Sequence, residues 1–362
     1  MTSAISEVLA LASARVGHPR GIHHEFDVSG ADEPAIGRLL DEWSTLAGQA
    51  QVQSPDPWRF LWTPNRRAYV PFHVGRFSLI AWRDPVGPPE ERAAAIRLFR
   101  AYAARTGRHA LVLAASAPLA EAASRVGFQS LWVGSEQRFD LERFTMRGRA
   151  AEKLRLAINH ARRTGARARE AFPCTSVHDR AAIHRVEEAW KAERAARRTD
   201  SFLRTAPMEN AVRRRYFVVE SATHGDDHGS AVQSLAVCSQ VSARGWYLQD
   251  LVRHPTAPRG ACELVAIEAI EAFRRERFDF ATMGIVPFFD PRGDAEKIVL
   301  PRAAAWCIRH FDRAFRFSGL QQFRAKFHAT HVESAHALYW PRVLTPLVAW
   351  DVARLLAPRS SS

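Results

Sequence analysis

Cysteine is scarce in this chain of 362 residues. Cys174, Cys238, Cys262 and Cys307 fall in no CxxC pair and in no Cys/His cluster, which excludes a disulfide framework and a zinc-ribbon arrangement. They read as reduced core residues of a cytoplasmic protein. The histidines include no HExxH pair, and His23-His24-Glu25 lacks the helical spacing that a zinc site needs. No metal and no cofactor are expected. Long apolar runs are missing too, since nothing approaches the ~20 residues of a membrane-spanning helix. The opening MTSAISEVLALASARVG has no basic leader and reads as a short amphipathic helix, not a secretion signal. Any membrane contact is therefore expected to be peripheral, on the inner face.

Negative charge is also in short supply, with 38 acidic residues against 51 basic ones and a net charge of +13. The excess is local. Residues 146–169 hold eight basic side chains and one acid, and residues 191–215 hold eight basic and three acidic. Such blocks suit a polyanion, whether RNA, a phosphorylated substrate or an anionic membrane face; a solvated Arg-rich surface is the plainer alternative.

What is present is enough apolar sequence, 47%, to fill two cores. After residue 70 strands alternate with helices: a strand over 77–82, a helix over 90–106, a strand over 110–115, a short helix over 118–126 and a strand running toward Phe139 and Leu141. That alternation predicts α/β layers. Shifting the chain by 170 residues lays Arg83 on Arg253, Pro85 on Pro255 and Pro88 on Pro258. Each triplet lies between an apolar strand and an amphipathic helix, which points to a duplicated unit. Ile80 stands where the second copy has Asp250, so only the second copy carries a carboxylate.

That second copy reads LQDLVRHPTAPRG over 248–260, followed by a helix from Ala261. Asp250 and Arg253 then sit where a strand runs into a turn, a usual place for ligands in α/β layers. They form either part of a site or a structural ion pair. Gly260 either lets backbone N–H groups approach an anion or supplies a small residue for the turn. The glycine loop [QR]-x-x-G-x-[GA] of acyl-CoA enzymes is not evident, because Ala257 and Cys262 occupy its key places.

Five stretches together, RDPVGP (83–88), VGFQSLWVGSEQRFDL (126–141), FDLERFTMRGRAAEKLRLAINHARRTGARARE (139–170), LQDLVRHPTAPRG and FRAKF (323–327), resemble the C-terminal catalytic domain of phosphatidylglycerol lysyl- and alanyltransferases. The resemblance covers about residues 67–345, in the family's order. It implies an α/β (α+β) protein of two tandem GNAT-type acyltransferase folds, each a mixed sheet flanked by helices, with aminoacyl-tRNA as donor and a lipid hydroxyl as acceptor. The family's Asp and Arg in its D-L-M-R motif fall on Asp250 and Arg253, Val252 replacing the methionine, and its Lys in F-x-x-K-F falls on Lys326. Its G-E-E-A becomes Gly134-Ser-Glu-Gln137. The expected organisation is a helical or irregular lead-in over 1–66, a non-catalytic first unit over 67–145, a second unit with the site over 146–345, and a C-terminal helix with a disordered tail over 346–362.

Aminoacyl transfer needs a grip on a phosphate-rich donor, an activated acceptor and a stabilised oxyanion. The helix from Arg149 to Arg163 carries Arg155, Arg162 and Arg163 on its polar side, suited to phosphates. Trp190 and Arg194 lie beside Arg197, Arg198 and Phe202, an aromatic and basic mixture suited to a single-stranded end. Asp250 is the candidate base or orients the amino group of the aminoacyl moiety, Arg253 positions substrate, Lys326 meets a phosphate or oxyanion, and Tyr339 lines a pocket, donates a proton or packs in the core. The expected function is aminoacyl transfer from tRNA to a hydroxyl or amine, on an anionic phospholipid such as phosphatidylglycerol or on a small molecule. The alternatives are an acyl-CoA-dependent N-acyltransferase and an inactive RNA- or membrane-binding module.

Overall fold

The computed structural model describes residues 26–29, 32–49, 58–196, 214–222, 230–288 and 317–356. Twelve strands form one sheet among them: β1 (Val28–Ser29), β2 (Trp58–Trp62), β3 (Tyr69–Val74), β4 (Ser78–Trp82), β5 (His109–Ser116), β6 (Gln129–Asp140), β7 (Arg167–Ala171), β8 (Arg214–Ala222), β9 (Ser230–Ser242), β10 (Gly245–Arg253), β11 (Phe280–Pro287) and β12 (His331–Trp340). The helices are α1 (Glu33–Trp43), α2 (Pro89–Arg105), α3 (Ala117–Ser124), α4 (Glu152–Arg163), α5 (Val177–Ala196), α6 (Ala261–Arg275), α7 (Phe317–Ala325) and α8 (Pro346–Leu356). Strands β1 and β2 and helix α1 come from the segment read as a lead-in. Its alternating Trp58-Arg-Phe-Leu-Trp62 pairs antiparallel with β3 and so extends the sheet.

Strand order is β1-β2-β3-β4-β5-β12-β6-β11-β10-β9-β8-β7. Only β4 with β5 and β10 with β11 run parallel. These are the two places joined by a helical crossover, as parallel neighbours require. Adding 170 to the bounds of β4, α2 and β5 gives 248–252, 259–275 and 279–286, which overlie β10, α6 and β11. The last strands of the two copies are exchanged at the centre: β12 pairs with β5 of the first copy, β6 pairs with β11 of the second, and β6 and β12 pair with each other. Both copies therefore share one continuous sheet.

The helix ends follow local rules. Helix α2 opens on Pro88 and Pro89 with Glu90 and Glu91 in its first turn and closes on Arg105, charges that match the helix dipole. Helix α6 is apolar almost all round, and ten of its residues are buried, so it is a core helix. It packs with Leu154, Ile158 and Ala161 of α4 and with Phe217, Cys238, Trp246, Leu248 and Met283 of the strands. On the opposite face, Ala182, Ile183 and Val186 of α5 cover Tyr216, Val218, Leu235, Val237 and Val252. Helix α8 docks on the first copy: Val348 packs with Ile80 and Leu111, and Asp351 accepts from the Phe77 amide at 2.7 Å and the Ser78 hydroxyl at 2.8 Å.

Candidate active site

Strand alternation puts residues two apart on one face, so Trp246, Leu248, Asp250 and Val252 would all point the same way in a regular strand. They do not. Opposite β9, Leu248 faces Cys238 while Asp250 faces Val237, so Gln249 is an extra residue, a β-bulge. Trp246 and Leu248 enter the core under α6, whereas Val252 enters the core under α5. Asp250 is turned to that second face and is 7% exposed. Burial pushes its carboxyl up to about 7; Arg214 acts against this, while Glu187 of α5 adds to it and Gln249 donates a hydrogen bond. A carboxyl that titrates near neutrality can take a proton in one step and return it in the next.

Beside Asp250 the sheet opens. Strands β10 and β11 pair only from Gly245–Tyr247 to Phe280–Thr282, and beyond that point they part. At the parting point, β11 carries its own bulge: Thr282 faces Arg138 of β6 and Gly284 faces Gln137, leaving Met283 over. The Met283 carbonyl accepts from Nη1 of Arg324, on α7. Arg324 is 7% exposed, and burial lowers its guanidinium to about 10. Tyr247 lies over Gly284, whose φ of 77° and missing Cβ leave room for the phenol ring. Burial pushes the Tyr247 hydroxyl up to about 12, with Arg324 and Asp250 both close enough to act on it electrostatically. The wedge thus carries a carboxyl, a phenol and a guanidinium.

Asp250, Arg253 and Lys326, the three expected catalytic residues, are not brought into one charged cluster. Arg253 comes three residues after Asp250 along β10, an odd offset, so they face opposite sides: Arg253 is exposed at the strand end, and the cation acting on Asp250 is Arg214. Lys326 donates to Glu263 in the first turn of α6 at 2.7 Å. Arg253 and Lys326 both act on the Cys262 thiol, so they flank that same turn. Gly260 opens α6 with φ of 93°, and a Cβ there would lie 1.9 Å from the Ala157 carbonyl of α4. Close helix packing therefore accounts for it. Arg155 holds the Met146 and Gly148 carbonyls at 2.6 Å each, closing the turn before α4, while Arg162 and Arg163 are exposed. Trp190 packs on the core under α5 that also holds Tyr216 and Val252, which brings it to the Asp250 side. Tyr339 packs with Ile80, Leu111 and Val348 in the first copy. The side chain of Arg194, together with Arg197, Arg198, Phe202 and Cys307, lies outside the described residues.

Glu187, Arg214 and Tyr247 carry no motif in the sequence, and although Arg83 and Glu136 lie in the RDPVGP and Gly134-Ser-Glu-Gln137 stretches, nothing there says that they pair. Arg83 is 3% exposed, with φ of 65°. It donates to Glu136 at 2.5 Å and to the Ala47 and Ala114 carbonyls at 2.7 and 3.3 Å. Glu136 also accepts from the Thr282 hydroxyl at 2.8 Å. The pair thus ties the first copy to the strand that borders the wedge.

The sheet is thus mixed, its parallel strands β10 and β11 pair over only three residues, and the buried Asp250 carboxyl stands where they part. The family model described as phosphatidylglycerol lysyltransferase, C-terminal, matches residues 57–339, and the chain belongs to that family. A lysylphosphatidylglycerol biosynthesis bifunctional protein LysX from Rhodococcus jostii is 24% identical over 261 residues, which are 72% of this chain and 23% of the relative. The chain spans less than a quarter of the length of such curated relatives. The C-terminal domain of a putative lysylphosphatidylglycerol synthetase from Agrobacterium fabrum superposes with a TM-score of 0.73 at 17% identity, covering 90% of this chain and 96% of that one. L-PGS from Bacillus licheniformis gives 0.72 at 16%, covering 91% and 99%. Both share the fold. Among the described residues, no helix is long and apolar enough to cross a membrane.

Proposed function

We propose that the protein moves an aminoacyl group from tRNA to a hydroxyl of an anionic phospholipid, phosphatidylglycerol in the first place, within the wedge between β10 and β11. The observation that carries this reading is Asp250, a buried carboxyl brought by the β10 bulge to the wedge and titrating near 7. In the forward step Asp250 takes the proton of the acceptor hydroxyl as its oxygen attacks the ester carbonyl. When the tetrahedral intermediate collapses, the carbon–ribose oxygen bond breaks and the leaving oxygen takes up a proton. Arg253 and Lys326, flanking the first turn of α6, face the donor; exposed Arg162 and Arg163 of α4 meet its phosphates without reading its sequence. Trp190 offers a partly covered aromatic face beside Asp250 for the terminal base.

An acyl-CoA donor fits less well. The α6 N-terminus, where a pyrophosphate would sit, is closed by Gly260 against Ala157 and carries the buried Glu263 carboxylate, which opposes an anion. The acceptor is placed at a membrane surface by α8. With Val348 and Asp351 turned inward, Val343, Leu344, Leu347 and Trp350 are left exposed, Trp350 at 58%. Arg342 and Arg354 flank them and are also exposed. An apolar stripe with tryptophan and arginine suits an anionic bilayer interface.

The test uses the purified chain with a panel of charged tRNAs and vesicles of phosphatidylglycerol. A labelled lipid whose formation is abolished by RNase is the expected result. No labelled lipid with any charged tRNA overturns the reading. Replacing Leu347 and Trp350 with Asp should abolish co-sedimentation with those vesicles.

A further inference from the structure

Two buried polar side chains at the wedge have needs that the described residues do not meet. Arg324 is an interior cation, and its Nη1 donates to the neutral Met283 carbonyl. Its Nε, buried, has no partner. Gln137 is 2% exposed, and its Oε1 has no partner either. Gln137 faces Gly284 across the β6–β11 pairing, one residue from the carbonyl that Arg324 caps. Glu136 acts on this guanidinium electrostatically but is itself paired with Arg83, and a buried guanidinium with no ion-pair partner of its own is costly, as is an orphaned buried acceptor. Capping Met283 does not account for the charge, since a neutral amide donor would serve as well.

Resting on the reading above, we infer that Arg324, with Gln137, is a receptor for the phosphodiester of the acceptor headgroup, the guanidinium taking a phosphate oxygen and the Gln137 oxygen accepting from a headgroup hydroxyl. The donor's phosphates are numerous and suit the exposed arginines of α4. A single enclosed cation beside an unpaired acceptor suits one phosphodiester that carries hydroxyls of its own. Tyr247, within electrostatic reach of both Arg324 and Asp250, lies on the path between the two. A three-carbon glycerol bound with its phosphate at Arg324 presents its terminal hydroxyl toward Asp250. In this role Arg324 touches substrate and sets which acceptor is used, and Gln137 reports the hydroxyl.

The experiment is thermal unfolding of the full chain with the deacylated headgroup glycerophosphoglycerol as probe, AMP as the nucleotide control, and no tRNA. At about ten times its Kd the headgroup should raise the wild-type Tm by about 2 °C or more. Arg324→Gln keeps a donor for Met283 and should lose that shift. Arg324→Met, free of the uncompensated charge, should melt at or above the wild type without ligand while turnover falls at least tenfold. Gln137→Leu should weaken the shift and leave that for AMP unchanged. The inference is overturned if Arg324→Gln retains the headgroup shift, if AMP and not the headgroup acts through Arg324, or if both Arg324 variants melt several degrees lower, as loss of a structural cap predicts. The melting measurements involve no transfer reaction. Headgroup binding through Arg324 in a protein that makes no aminoacyl lipid would leave the receptor standing and refute the proposed function, and the converse result would do the reverse.

Discussion

The two copies of the unit put an arginine at the end of equivalent strands, and they use it differently. In the first copy Arg83 is buried against Glu136 and two carbonyls, and Ile80, three residues earlier, fills the core under α8. In the second copy Arg253 is exposed, and Asp250 takes the place of Ile80 behind a bulge. The first copy pairs its arginine with a carboxylate and closes the junction. The second leaves a carboxyl at the edge of an open wedge with a cation across from it. The same backbone is thus a closed joint in one half and the edge of an open wedge in the other, and what separates them is the bulge at Gln249 together with the polarity of its neighbour.

The difference between the halves is largest at the two arginines. Replacing Arg83 with methionine leaves Glu136 buried with no ion pair and with hydrogen bonds only from the Ala47 amide and the Thr282 hydroxyl, and breaking a buried pair in this way costs about 3–5 kcal/mol. Arg253→Met has no such partner to strand and should stay within about 0.5 kcal/mol. Urea unfolding of the two variants checks the contrast, and equal losses would show that the junctions are alike. A double change of Arg83 and Glu136 to apolar residues should recover much of the loss.

Asp250 gives the next largest effect. Asp250→Asn should lower kcat by about 10² or more with little change in KM for either substrate, and the wild-type rate should rise with pH and level off above about 7. Stability runs the other way. Between about pH 4 and pH 7 the folded carboxyl holds a proton that the unfolded chain has released, so stability falls as pH rises through that window. The Asn variant should lose that slope and keep its stability at pH 8. Ile80→Asp, the reverse exchange, should destabilise the first copy by about 1–3 kcal/mol and create no activity.

A smaller effect is expected at the helix starts. Gly260 corresponds to Glu90 across the repeat. Gly260→Ala forces a Cβ into the Ala157 carbonyl at a left-handed φ and should cost about 1–3 kcal/mol. Glu90→Ala, on an exposed first turn, should cost a few tenths. Denaturant midpoints measured side by side decide whether Gly260 serves packing, as its contact indicates, or anion binding, in which case stability would change little and donor affinity would fall.

Much of this fold is legible in the sequence because α/β alternation and helix signals are local. Apolar periodicity and proline–acid starts place β4, α2, β5 and α6 within a residue or two of their bounds, and the three matched residues of the repeat identify the two copies. Asp250 is legible as an isolated carboxylate in an apolar strand. Its surroundings are not, because a bulge is a property of pairing: nothing in LQDLVR says that Gln249 is the extra residue, so nothing says which face Asp250 takes. The partners Glu187 and Arg214 come from α5 and β8 and reach Asp250 only when the sheet closes, and whether Tyr247 shares its face depends on the same bulge. The exchange of β6 and β12 is likewise invisible, since it depends on which strand reaches the centre. Arg324 stands two residues from a motif lysine, yet its burial, and with it its chemistry, belongs to the folded state.

The smallest effect concerns the charge asymmetry between the halves. Both basic blocks follow β6 in the chain, and α4 presents Arg162 and Arg163 to solvent while Arg155 is held by the Met146 and Gly148 carbonyls. If the two exposed residues each neutralise one donor phosphate, replacing both with alanine should weaken donor binding several-fold at physiological salt. The slope of log K against log salt should fall by about 0.7–0.9 for each phosphate no longer neutralised. Saturating donor should then restore turnover, because such interactions hold ground and transition states alike. Arg155→Ala should behave differently, since it opens a turn: stability should fall with the salt slope unchanged. Titrations at three salt concentrations separate these cases. An unchanged slope in the Arg162/Arg163 double variant would mean that this face of α4 is solvated surface, and that the donor's phosphates are met closer to the first turn of α6, by Arg253 and Lys326.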